Sequence, residues 1–202
     1  MKVTLNSTVA PEKLTKGVDI PSAWAKTETW AAITAGLVPG DMQASYRSNI
    51  TREDFCRLMV SLVEQQSGMA ISEYLASKDL VPGTFSDTQN AEVLATNALG
   101  IVYGKGNGIF DPQGSITRQE AAVMLARTAK LLGLQTGTPL TFQDAGRVAD
   151  WAKEGVSFVS GLTDPTNSQR IVAGTGSGYF SPTSKYTREQ AILTTVRLFH
   201  CL

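Results

Sequence analysis

Histidine occurs once in this sequence and cysteine twice, too few soft donors for a zinc site, which needs three or four nitrogen or sulfur ligands close together. A Ser-His-Asp or Cys-His catalytic group would rest wholly on His200, and no partner motif accompanies it. No catalytic residue, metal ligand or cofactor is therefore assigned, and the chain reads as a non-enzyme. Charge of either sign is also scarce. The 18 basic and 18 acidic residues cancel, whereas a nucleic-acid partner calls for a surplus of Lys and Arg to neutralise phosphate. The same balance gives no long-range field to hold an anionic membrane. No apolar run approaches the roughly 20 residues that span a bilayer, so membrane insertion is not expected. Met1-Lys2-Val3-Thr4-Leu5-Asn6 has no apolar core of a secretion signal. The expectation is a mature piece of a larger exported protein, its leader lying elsewhere. Cys56 and Cys201 both fall in helix-like apolar stretches. They read as small buried thiols or as a disulfide joining the first and last helices.

What the sequence does have is internal repetition. Ile116-Thr117-Arg118-Gln119-Glu120 has relatives at Ile50-Thr51-Arg52-Glu53-Asp54 and Tyr186-Thr187-Arg188-Glu189-Gln190. Upstream, Gly104-Lys105-Gly106-Asn107-Gly108-Ile109-Phe110-Asp111-Pro112 matches Gly174-Thr175-Gly176-Ser177-Gly178-Tyr179-Phe180-Ser181-Pro182. Trp24-Ala25-Lys26 answers to Trp151-Ala152-Lys153, and Phe85-Ser86-Asp87 to Phe142-Gln143-Asp144. Each unit reads as a short entry helix (about 91–99 in the second), a glycine stop, a glycine-rich turn and a longer helix starting at the Thr-Arg pair. The long helices carry apolar residues at helical spacing: Phe55, Leu58, Met59, Leu62, Val63; Ala121, Met124, Leu125, Leu132; Ile192, Val196, Phe199. One such unit cannot bury its stripe alone, so the three must pack together. Linkers are expected near 67–84 and 133–141, where Gly, Ser, Thr and Pro gather.

The Thr-Arg pair is the informative feature. Thr51, Thr117 and Thr187 sit where an N-cap belongs, with Asp54, Glu120 or Gln190 three residues on to form a capping box. Ile50, Ile116 and Tyr186 are placed to staple onto Phe55, Ala121 and Ala191. Helix initiation explains Thr and Glu, but not Arg52, Arg118 and Arg188. A cation in the first helical turn faces the positive end of the helix dipole and costs roughly 0.3–1 kcal/mol. Three repetitions of a locally poor choice point to another demand. One candidate is an ion pair with a neighbouring carboxylate such as Asp19, Asp87 or Asp144; the other is an anionic ligand, held by the guanidinium fork and the helix's free amides.

Other features weigh less. The Gly-x-Gly-x-Gly runs lack the strand before and the helix directly after that a nucleotide loop requires. They read as turns with close backbone approach. Asn107 to Asp111 lacks the alternating carboxylates of a calcium loop. Trp24 and Trp151 serve either as core or as sugar platforms, and Trp30 is assigned to the core.

On these residues the sequence resembles the S-layer homology domain family, over about 18–202. The second unit carries the resemblance best: Phe85-x-Asp87, Gly100-Ile101-Val102-x-Gly104, Gly108-x-Phe110-x-Pro112 and Ile116-Thr117-Arg118-x-Glu120. The resemblance implies an all-α fold of three helical repeats around a central three-helix bundle, pseudo-threefold and three-pronged. Its parts would be an N-terminal extension (1–17), repeat 1 (18–70), a linker with repeat 2 (71–134) and repeat 3 (135–202). It also implies a monomeric, non-catalytic module of an exported protein at the cell surface or wall. Its partner would be an anionic secondary cell wall polysaccharide, in many members an aminosugar polymer with ketal-linked pyruvate. In that family the motif arginine binds the acidic sugar between adjacent copies. Carried over, the binding residues are Arg52, Arg118, Arg188, Thr117, Thr187, Gly106 and Gly176, with Trp24 and Trp151 as ring faces. The second unit lacks that tryptophan, the first lacks the glycine-rich turn, and the third carries an insertion from Asp164 to Gln169. One or two working grooves are thus expected rather than three. The alternative is a structural or protein-interaction module that has lost polymer binding, its arginines only tying the copies together.

Overall fold

A computed structural model describes residues 19–202; the extension expected at 1–17, Met1 to Asn6 included, lies outside the described residues. In chain order the helices are α1 (Lys26–Thr34), α2 (Arg52–Ser67), α3 (Ile71–Ser77), α4 (Ala91–Ala98), α5 (Arg118–Leu131), α6 (Asp150–Gly161) and α7 (Arg188–His200). Short 3-10 turns occupy Gly40–Met42 and Ala145–Arg147. Among the described residues there is no sheet, only isolated bridges. The fold is all-α.

The long helices begin where their chemistry requires. Thr51, Thr117 and Thr187 hold extended backbone, and their hydroxyls accept from the amides of Asp54, Glu120 and Gln190. The carboxyl of Glu120 and the amide oxygen of Gln190 accept in return from the amides of Thr117 and Thr187. The stripes on these helices are buried as their spacing predicts, except that Leu132 and Phe199 are only partly covered. Trp30 also departs from expectation: it is half-buried rather than in the core. The expected linker at 67–84 contains α3, which packs on both α2 and α4. Ser67 and Gly68 do stop α2, Gly68 in the left-handed region at φ 68°. The chain resumes as helix because Ala70-Ile71-Ser72-Glu73 holds Leu75 in the core. No helix forms across 133–141.

Backbone bonds knit the three Thr-Arg segments together. Ile50 N donates to Tyr186 O (2.9 Å), Tyr186 N to Ile116 O (3.0 Å) and Ile116 N to Ile50 O (3.2 Å), closing a ring. One step along, the amides of Arg52, Arg118 and Arg188 donate to the carbonyls of Gly114, Ser184 and Ser48, each at 2.9 Å. The next amides, of Glu53, Gln119 and Glu189, reach Pro112, Pro182 and Tyr46. The first donors of each long helix, normally orphaned, are thus satisfied by a neighbouring unit. α2, α5 and α7 touch one another pairwise, while α1 packs on α7, α4 on α2 and α6 on α5. Each entry helix therefore lies against the long helix of a different unit.

Both cysteines are free thiols, so the disulfide is absent. Burial pushes the Cys56 thiol up to about 12, and burial likewise lifts half-buried Cys201 to about 11.

Candidate functional site: grooves beside the Thr-Arg arginines

The arginine at the start of each long helix leaves its own helix and clamps the next unit. Arg52 Nε donates to Phe110 O (2.9 Å) and Nη2 to Tyr103 O (3.4 Å), with the guanidinium 4.7 Å over the Phe110 ring. Arg118 repeats this on Phe180 O and Ala173 O, both 2.8 Å, over the rings of Phe180 (5.1 Å) and Tyr186 (5.4 Å). Arg188 reaches Ala44 O at 2.8 Å. Arg52 and Arg118 are only 6% exposed. The unfavourable dipole is offset by charge-assisted bonds to carbonyls of another unit.

Two expectations from the sequence need correcting. The aspartates singled out as ion-pair partners are not the carboxylates these arginines use: Arg52 pairs with Glu120 and Arg188 with Asp54. Asp87 accepts from the amides of Phe110 and Asp111 (2.9 and 2.7 Å), and Asp144 from those of Phe180 and Ser181 (2.7 and 2.8 Å). Asp19 accepts from Ser45 N. These amides belong to a sharp corner, where Ser45, Asp111 and Ser181 all hold positive φ of 53°, 62° and 60°. The aspartates secure the corner whose carbonyl the arginine then reads. The Phe110 and Asp111 amides hold the Asp87 carboxyl below its ordinary value; for Asp144, burial pushes upward but the two amide bonds bring the balance below it as well. The second correction concerns the helix N-termini. Their amides are not available to an anion, because neighbouring carbonyls and the capping threonines consume them. For the same reason the Thr117 and Thr187 hydroxyls act as caps.

Clefts nevertheless open beside two of the arginines. One, of about 300 Å³, is lined by Arg52, Tyr103, Lys105, Glu120, Arg127 and Trp151 among others. The second, of about 130 Å³, has Arg118, Gln190, Arg197 and Trp24 at the corresponding positions. Trp24 and Trp151 are each 58% exposed, anchored by fully buried Ala25 and Ala152 beside them. Gly104 and Gly174, rather than Gly106 and Gly176, line the clefts. A Cβ at Gly104 would lie 2.5 Å from Ile109 O, and one at Gly174 2.7 Å from Tyr179 O. Gly106 and Gly176 open the tight turns that bring Ile109 and Tyr179 back, through bonds of 3.0 Å to their own carbonyls. A wider, mostly apolar cavity of about 470 Å³, bordered by Leu140, Phe142, Val148 and Val156, contains none of the three arginines.

Residues 85–122 match the family model described as S-layer homology domain. Those residues are an S-layer homology domain. The matched stretch runs from Phe85 through the corner at Phe110 to the start of α5, and so contains one complete aspartate, corner and Thr-Arg set. Among similar proteins, an endoglucanase from Bacillus sp. (strain KSM-635) is 31% identical over 113 residues, covering 53% of this chain and 11% of its own. A surface layer protein from Brevibacillus choshinensis is 34% identical over 105 residues, covering 50% and 8%. Exoglucanase XynX from Acetivibrio thermocellus is 26% identical over 183 residues, 86% of this chain and 15% of its own. The chain thus spans a small fraction of these relatives' length.

The molecule is less regular at its remaining junction, which lies outside the matched stretch. Arg188 Nη2 pairs with Asp54 Oδ2 at 2.9 Å, and its buried Nε has no partner among the described residues. In α4, buried Val93 takes the place of Ala25 and Ala152, so Glu92 stands where the other entry helices have tryptophan. Burial, then Asp54 and Glu92, push the Glu53 carboxyl upward, marking an acidic neighbourhood. Sequence reasoning picks out Asp87 and Asp144 but gives them the arginines rather than the corner amides as partners, and it misses the cations Lys105, Arg127 and Arg197; recurrence at a matching offset is the available signal for Arg127 and Arg197.

Proposed function

We propose that this S-layer homology domain is a non-catalytic anchor, holding a larger exported protein at the bacterial cell surface by binding an acidic wall polysaccharide in its grooves. The observation that carries this reading is Arg118: a buried guanidinium facing a cleft, without a carboxylate partner among the described residues, beside the exposed ring of Trp24. A guanidinium in that setting suits a sugar carboxylate such as a pyruvate ketal, and an indole face suits the ring behind it. The groove at Arg52 and Trp151 is proposed as the second contact, and the Arg188 junction as purely structural. The long glucanase and surface-layer relatives suit a division of labour in which this segment attaches and other segments do the remaining work. No helix among the described residues is long and apolar enough to cross a membrane.

The test uses the tryptophans, because the arginines also hold the fold. Cosedimentation with purified wall polysaccharide attached to peptidoglycan should drop at least about tenfold in the Trp24→Ala, Trp151→Ala double variant, equivalent to roughly 1.4 kcal/mol. Its melting temperature should stay near that of the parent. Unchanged retention in the folded double variant rejects the anchor and favours a module whose arginines only tie units together.

A further inference from the structure

The two tryptophan-lined grooves differ in charge at the position three after the capping threonine; the Lys105–Asp111 ion pair at the rim of one, replaced by Thr175 and Ser181 in the other, cancels within itself. Beside Arg52 stands Glu120, whose Oε1 takes Arg52 Nη1 at 3.2 Å while Oε2 is held by Thr117 N and Oγ1 at 2.8 and 2.6 Å. Beside Arg118 the same helix position is Gln190, whose amide oxygen accepts from Thr187 N at 3.1 Å. Arg118 therefore keeps its full positive charge, and Arg52 shares its charge with a carboxylate. The other cations are engaged in both grooves. Lys105 is held by Asp111, and Arg127 lies 4.5 Å over the Tyr103 ring and bonds Ile101 O at 3.2 Å. Arg197 is held bidentately by Glu28 at 2.5 and 2.7 Å.

A sugar carboxylate entering beside Arg52 meets the like charge of Glu120, whereas beside Arg118 it meets a neutral amide. Sugar hydroxyls, being donors, are served well by Glu120. Resting on the anchoring reading, we infer that the grooves are specialised: the Arg118 groove takes an acidic sugar, and the Arg52 groove takes a neutral sugar through its hydroxyls. The residue three places after the capping threonine, Gln190 or Glu120, sets the preference. The chain would then read two different sugars rather than one sugar twice.

Exchanging these residues tests the inference without disturbing the fold, because Glu and Gln both form the capping box in this chain. The probes are the methyl glycoside of an N-acetylhexosamine carrying a pyruvate ketal and the same glycoside without the ketal, titrated calorimetrically. The parent should bind about one equivalent of the acidic glycoside. Gln190→Glu should weaken that binding about tenfold or more, as expected when like charges are juxtaposed, and leave the neutral glycoside untouched. Glu120→Gln should weaken the neutral glycoside and add a second site for the acidic one. Acidic-glycoside affinity unchanged in Gln190→Glu, or no second site in Glu120→Gln, overturns the specialisation and leaves the anchor standing. If the parent binds neither glycoside nor the purified polysaccharide, the anchoring reading itself falls.

Discussion

The junction at Arg118 and the junction at Arg188 share the same backbone bonds and differ in almost everything around the guanidinium. At Arg118 an aromatic ring, Phe180, lies under the cation, a neutral Gln190 stands beside it and Trp24 overhangs a cleft. At Arg188 the corner residue is Ala44, the neighbour is Asp54 and the overhanging position holds Glu92. Clamping and cleft-forming are thus separable duties of one motif. The clamp needs only the arginine, the corner carbonyl and the amide ladder. A cleft suited to an acid needs an aromatic wall and the absence of a competing carboxylate as well.

The largest effect should come from erasing the aromatic difference. Phe180→Ala gives the Arg118 junction the corner residue of the Arg188 junction, and removes a fully buried ring packed 5.2 Å from Phe142. A loss of about 3–5 kcal/mol is expected in urea unfolding; a loss below about 1 kcal/mol would show the ring to be incidental. Next, Arg118→Ala strands the buried carbonyl of Phe180 and frees that of exposed Ala173, and should cost about 3 kcal/mol, and Arg188→Ala less, about 1–2 kcal/mol, since Asp54 keeps Arg57 as a partner at 3.4 Å. Equal costs would break the distinction. A smaller effect concerns acid. The Asp87 and Asp144 carboxyls are depressed in the folded state, so their contribution is full above the unfolded value of about 3.9 and is lost as pH falls through their folded values. Thermal melts between pH 7 and pH 3 should show an acid decline that flattens in Asp87→Asn and Asp144→Asn. The smallest signal comes from a thiol in α2, Cys56, and one just past the end of α7, Cys201. With Cys56 up at about 12 and Cys201 at about 11, a disulfide-exchange reagent at pH 8 should label the folded protein slowly, and two thiols promptly after denaturation.

Much of this was legible in the sequence because it is local. Caps and apolar spacing fix where α2, α5 and α7 begin and which face they bury, and α4 starts at the position its pattern gives. The resemblance carried the family and the all-α class. Tertiary partners were not legible. Nothing within five residues of Arg52 says that its guanidinium ends on Phe110 O of another unit, and the dipole argument noticed the oddity without naming the acceptor. Asp87 and Asp144 were taken for ion-pair partners because charge is visible in a sequence and a strained corner is not. α3 escapes the sequence reading since Gly, Ser and Pro around it outweigh about two turns of helix, and Trp30 stays half-exposed although its spacing suits a core position.

The ring through Ile50, Ile116 and Tyr186 joins residues far apart in the sequence, so the Tyr186 segment completes the environment of the Ile50 segment, made long before it. Such a loop of distant partners delays folding, since no unit gains its neighbours until all are made. It also means that tension applied at one end of the domain reaches every unit at once, and rupture should come as a single event rather than unit by unit.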